Sequence, residues 1–106
     1  KLYAVGGFND DDGFLSSVER YDPALDVWEA VAPLGTARYN HGVAMLDGKL
    51  YAVGGKDYDV DDGLLLLSSV ERYDPTENAW EAVAPMATAR VDHAMAVLND
   101  GKLYAV

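Results

Sequence analysis

The sequence predicts an all-β chain, a stacked or radial array of four-stranded antiparallel meanders. Three observations predict it. The first is an internal repeat. Lys1–Gly7 reads KLYAVGG, Lys49–Gly55 reads the same, and Lys102–Val106 reads KLYAV. Leu15–Pro23 (LSSVERYDP) recurs letter for letter at Leu67–Pro75, and Trp28–Pro33 (WEAVAP) recurs at Trp80–Pro85. Thr36-Ala37-Arg38 returns as Thr88-Ala89-Arg90, and His41 matches His93. The offset is 48 residues at the diglycine segment and 52 beyond Lys56–Leu66. A period of about 50 residues marks an array rather than one irregular globule. The second observation is turn chemistry: Asp47-Gly48 joins two apolar runs, the strongest two-residue hairpin signal. The third is that no segment carries a helical period.

Each element then follows in order. Lys1–Val5 alternates as a short strand, with Leu2 and Ala4 on one face and Tyr3 and Val5 on the other. Gly6-Gly7 is expected to end it, since a diglycine suits a sharp bend or a close backbone approach. Phe8–Gly13 (FNDDDG) reads as a polar loop. Ser16–Tyr21 is the next strand, stopped by Asp22-Pro23. Val27–Val31 follows, with Trp28 and Ala30 on one face, and Pro33 places it at an outer edge. His41–Leu46 is apolar on both alternating faces and is expected to be buried on both. Asp47-Gly48 then returns the chain into the second copy. There Lys56–Leu66 is four residues longer than its counterpart. Strands held constant while loops diverge fit a rigid scaffold with recognition at one end.

Composition narrows the function classes. Half of the 106 residues are apolar, and no run approaches the roughly 18 apolar residues of a membrane span. The net charge of −10 opposes binding to nucleic acid, because phosphates would be repelled. There is no cysteine, which excludes disulfides, thiolate metal sites and cysteine nucleophiles. That fits a reducing compartment, and the expectation is a cytoplasmic setting. The chain does not begin with Met, and both ends fall within one strand motif, so a piece of a longer protein is expected.

The diglycines Gly6-Gly7 and Gly54-Gly55, followed by Tyr21 with Trp28 and Tyr73 with Trp80, carry a family resemblance. Each Tyr–Trp pair is seven residues apart. Together with the phrases YAVGG, SVERYDP and VAPM, they resemble the Kelch repeat over essentially the whole chain. The resemblance implies a Kelch-type β-propeller in which each repeat is a four-stranded blade. In that register residues 1–33 supply strands two to four of one blade. Residues 41–83 form a complete blade, and residues 93–106 begin a third. Complete propellers have four to eight blades, so the propeller here is incomplete. The remaining blades are expected from the rest of a longer chain or by self-assembly. The near-identity of the repeats fits recent duplication or consensus design.

Candidate sites are weighed against plain structural roles. Tyr21, Trp28, Tyr73 and Trp80 recur with the repeat, so they are expected to pack between blades. His41 and His93 begin the inner strands and are expected to be structural or to sit at a channel mouth, since no partners for metal or acid–base work are identifiable. Glu19 and Glu71 are expected to reach Arg38, Arg90 or a neighbouring blade and stitch blades together. Asp57–Gly63 begins like an EF-hand loop, but Asp62 stands where glycine is needed and Ser68 where glutamate is needed. Solvated acidic loops are the expectation, with no metal, no cofactor and no catalytic residue.

In Kelch propellers one face is lined by the connection after the diglycine and by the connection into the next blade. Carried onto this chain, that face comprises Phe8, Asn9, Asp10, Asp11 and Asp12, then Arg38, Tyr39 and Asn40. The second copy adds Lys56, Asp57, Tyr58, Asp59, Asp61 and Asp62, then Arg90, Val91 and Asp92. The resemblance implies a non-catalytic module that binds a protein or peptide. The acidic loops favour a basic one. Kelch-like proteins in animals are often substrate receptors of cullin-type ubiquitin ligases, although no dimerisation or cullin-binding domain lies in this chain. The alternatives are blades of an oxidase or of a sugar isomerase or epimerase, and a ligand-free scaffold. Near-identical repeats argue against the enzyme, because they set the same residues around an axis instead of converging unlike ones at a point.

Overall fold

The computed structural model describes residues 1–106. Eleven strands and no helix make up the chain, and none of it is a helix long and apolar enough to cross a membrane. β1 (Leu2–Asn9), β2 (Gly13–Asp22) and β3 (Val27–Val31) form a three-stranded antiparallel sheet. β4 (Gly42–Leu46), β5 (Lys49–Val53), β8 (Val70–Asp74) and β9 (Ala79–Val83) form a four-stranded meander. Inserted between β5 and β8 in sequence, β6 (Lys56–Asp59) and β7 (Gly63–Leu66) make a separate hairpin, and β10 (Met95–Val97) pairs with β11 (Leu103–Ala105). The all-β meander expected from the repeat is what forms.

The turns form where their residues direct. Asp47 and Gly48 both take positive φ, 51° and 77°, closing a two-residue hairpin with Leu46 opposite Lys49. At the outer turns the Asp22 and Asp74 carboxylates accept hydrogen bonds from the amides of Ala24 and Thr76, both at 2.9 Å. Tyr21 Oη then donates to Asp26 (2.6 Å), and Tyr73 Oη donates to Asn78 (2.8 Å), tying each third strand to the turn that follows.

Two expectations need correcting. Gly6-Gly7 does not end its strand. β1 shifts register between Val5 and Gly7, then continues to Asn9, so the FNDDDG loop is the tip of a hairpin. The reason is local. Asn9 Oδ1 accepts from the Asp12 amide (2.6 Å), and Gly13 takes φ of 75°, closing a three-residue loop with a left-handed glycine. Asp59 Oδ1 does the same for the amides of Asp61 (2.8 Å) and Asp62 (3.1 Å), with Gly63 at φ of 76°. The second correction concerns β4. Met95 covers its Gly42 side, but Val43 and Met45 on the other face remain exposed.

The diglycines also do what a missing Cβ permits. The Gly7 amide donates to Arg38 O (2.7 Å), and the Gly55 amide donates to Arg90 O (2.8 Å). A Cβ on Gly54 would lie 2.6 Å from Arg90 O, and one on Gly55 would lie 2.8 Å from Tyr39 O. Each diglycine is therefore the seat on which the connection into the next blade rests.

Only 12 residues are buried, so the core is small. It lies between the two sheets rather than within either. Val18, Leu34 and Ala52 are its centre, with Tyr3, Val5, Val31 and Trp80 packed around them. Tyr73, 1 % exposed, meets Tyr3 edge-on at 5.8 Å and Trp80 at 5.2 Å. Trp80 Nε1 crosses to donate to Ala32 O (2.9 Å). Of the periodic aromatics, Tyr73 and Trp80 pack between blades, whereas Tyr21 meets Trp28 of its own sheet. Trp28, which has no blade on its outer side, is 49 % exposed.

Candidate functional site: an aromatic and acidic loop face

The two hairpin tips and the inter-blade connections are brought side by side. Tyr39, on the connection, bridges to Lys56 at the start of β6. Phe8 and Phe14 face each other across the first hairpin, because the three-residue turn sets them opposite. Their rings and that of Tyr39 form a cluster with centroids 5.5–5.7 Å apart. The Lys56 ammonium lies over the Tyr39 ring, 5.3 Å from its centroid, close enough for a cation–π contact. Beside this cluster a cleft of about 460 Å³ opens between the hairpins, lined by Phe8, Asp12, Gly13, Phe14, Asp57 and Tyr58.

The polar side chains here are partly committed. The Asn9 amide and the Asp59 carboxylate are used in their own turns, and Asp57 Oδ1 accepts from the Tyr58 amide (2.8 Å). Asp10, Asp11, Asp61 and Asp62 point into solvent at the tips. No three acidic or histidine side chains converge as metal ligands would. Phe8 and Tyr58 are exposed, while Tyr39 is half-buried. Asn40 takes φ of 55°, and its carbonyl accepts from the Asp92 amide (2.9 Å), which joins successive connections. Arg90 and Asp92 are exposed and Val91 is half-buried.

Arg38 is the correction at this face. It is 0 % exposed, so it offers nothing to a partner. Its guanidinium donates to Glu71 Oε2 (3.0 and 3.2 Å), to Gly54 O and Ser69 O (both 2.9 Å) and to Ser69 Oγ (2.9 Å). Glu71 also accepts from the amides of Gly35 (2.6 Å) and Thr36 (3.2 Å). The pair locks two blades, as expected of an ion pair stitching them. The planar five-donor fork of arginine is what satisfies four acceptor atoms at once. Phe14, absent from the face read in the sequence, belongs to it. The signal was present in FNDDDGF, whose outer phenylalanines are paired by a tight turn.

The histidines lie deeper. His41 packs against Gly55, and His93 against Gly42 and Gly54. His41 Nδ1 and both ring nitrogens of His93 are buried without a hydrogen-bond partner. Burial, with Arg38 and His93 nearby, pushes the His41 pKa below its ordinary value of 6.5.

A three-stranded and a four-stranded antiparallel meander of repeated sequence, packed face to face through aromatics, define a segment of a β-propeller. A family model for the Kelch motif matches residues 1–35 and 37–87, and the chain belongs to the Kelch-repeat family. It is 40 % identical over 106 residues to Kelch-like protein 33 of Homo sapiens, covering 98 % of this chain and 19 % of that protein. It is 43 % identical over 108 residues to Kelch-like protein 28 of Homo sapiens, covering 99 % and 19 %. A solved structure titled as that of YjhT superposes with a TM-score of 0.78 at 25 % identity, covering 95 % of this chain and 32 % of that one. The chain thus spans less than a fifth of the length of these curated relatives.

Proposed function

We propose that this part of a Kelch propeller is a non-catalytic recognition module whose loop face binds a basic segment of a protein partner. The observation that carries the reading is the cleft between the hairpins, where the Phe8, Phe14 and Tyr58 rings stand beside Asp12 and Asp57. Aromatic faces and carboxylates together suit a lysine or arginine side chain, whose stem packs on the rings while its charge meets the acid. Arg38 and Glu71, by contrast, are spent on holding blades together. Kelch-like relatives favour a finer proposal, that such binding presents substrates to a cullin-type ubiquitin ligase. Co-purification of a cullin with a full-length protein carrying this segment tests that role separately.

A peptide array matched in length and aromatic content, with basic, neutral and acidic members, tests the face itself. Basic peptides should be retained, and Phe8→Ala and Tyr58→Ala should each reduce retention. Preference for acidic peptides, or retention unchanged by both substitutions, would contradict the proposal.

A further inference from the structure

The cleft between the two hairpins breaks the repeat. Phe8 and Phe14 face each other in the first hairpin, whereas Lys56 and Leu66 hold those places in the second. Tyr58 lies in the segment that is longer in the second copy. Unlike residues therefore converge at one point, against the sameness that the repeat imposes elsewhere.

The cleft has aromatic walls and two acceptor positions. Phe8, Phe14 and Tyr58 supply the rings, and the Lys56 ammonium already covers the face of Tyr39. Asp12 and Asp57 supply the carboxylates, one from each hairpin. Asp12 Oδ2 accepts from Asn9 Nδ2 (3.3 Å), and Asp57 Oδ1 accepts from the Tyr58 amide (2.8 Å). The other oxygen of each carboxylate has no hydrogen bond within the chain, and the two stand on separate hairpins.

That set of groups selects among cations. A guanidinium carries five donors in a planar fork and is best met by both oxygens of one carboxylate. Where this chain buries a guanidinium, at Arg38, four acceptor atoms surround it. A primary ammonium has three donors, so its third would turn toward the rings without an acceptor. A secondary ammonium has two donors for the two free oxygens. Its methyl group gains apolar contact with the rings while the charge keeps its cation–π attraction. Tertiary and quaternary ammoniums set methyl groups against carboxylate oxygens instead, and those oxygens lose their donors.

We infer that the cleft binds the side chain of monomethyl-lysine in a protein partner. This rests on the loop-face reading and names the chemistry which that face selects. The two remaining N–H groups donate to Asp12 and Asp57. The methyl group and the stem lie between the Phe8–Phe14 pair and Tyr58.

Fluorescence polarisation with a full-length protein carrying this segment tests the inference. The probes are five labelled versions of a lysine-containing peptide retained by the array, differing at one position. That position holds lysine, its mono-, di- or trimethyl form, or arginine. Monomethyl-lysine should bind tightest, about fourfold better than lysine for one buried methyl group. Trimethyl-lysine should bind at least about tenfold more weakly than monomethyl-lysine, having lost both charged hydrogen bonds. Arginine should bind, but below monomethyl-lysine. Asp12→Ala, at an exposed residue, should keep the wild-type far-ultraviolet spectrum and move the optimum to dimethyl-lysine, which needs a single acceptor. Arginine or trimethyl-lysine binding tightest, five equal affinities, or an Asp12→Ala variant weakened alike toward all five would overturn the inference and leave the loop-face reading standing. Retention of arginine peptides alone would do the same. Retention of no basic peptide would overturn both.

Discussion

Arg38 and Glu71 show how a single side chain is assigned its role by position. Both are taken from water, and every strong polar atom of the pair meets a partner. Replacing a buried ion pair whole can be neutral, but removing one partner leaves a buried charge unmatched. Arg38→Met should therefore cost about 3–5 kcal/mol in denaturant unfolding. His41 supplies a pH dependence with a definite sign. Its folded pKa lies below that of the free residue, so the unfolded chain binds more protons as pH falls past 6.5. Stability should be full above that value and decline as pH drops toward the folded pKa. Thermal melts between about pH 7 and about pH 5.5, where few carboxylates titrate, should show the decline, and His41→Gln should flatten it. The burial of Arg38 was not legible in its own neighbourhood. Tyr39 and Asn40 beside it do line the connection, and its partner Glu71 lies 33 residues away. Only the recurrence of Glu71 in a strand flanked by the same letters hinted at the pair.

At the scale of elements, the strands of the repeated meander were legible, whereas the extent of β1 and the β6–β7 hairpin, read as a loop at Lys56–Leu66, were not. Alternation, Asp-Gly and Asp-Pro marked the meander because each acts within a few residues. The continuation of β1 past its diglycine depends on Asn9 capping a turn and on a glycine at positive φ, features that read equally well as a loop. Glycines separate these two kinds of constraint. A Cβ on Gly63 would meet nothing, so Gly63→Ala should cost only the left-handed backbone penalty, about 1–2 kcal/mol. Gly54→Ala adds a clash with Arg90 O and His93, and should cost about 3 kcal/mol or more. Chemical melts of the two variants side by side give that ranking; equal losses would mean that the connection does not rest on the diglycine as described.

Across the whole molecule, polar function is divided by depth. The blade junction uses Arg38 and Glu71 internally, while Asp10, Asp11, Asp61 and Asp62 are carried outward at the hairpin tips, with Asp12 and Asp57 beside the cleft. These carboxylates give the loop face a local negative field within a chain of net charge −10. The family and its acidic loops were legible in the sequence, whereas the aromatic cleft was not, because it requires two hairpins from different repeats to stand together. The most direct measurement is the association rate of an arginine-containing peptide, selected from the array, as a function of salt. Asp12→Asn and Asp57→Asn keep an acceptor oxygen while removing charge. The intact face should bind more slowly as screening shortens the reach of its charges, and the double variant should bind more slowly at low salt with a flatter salt dependence. A salt dependence identical in the two proteins, or faster binding by the variant, would contradict recognition at this face.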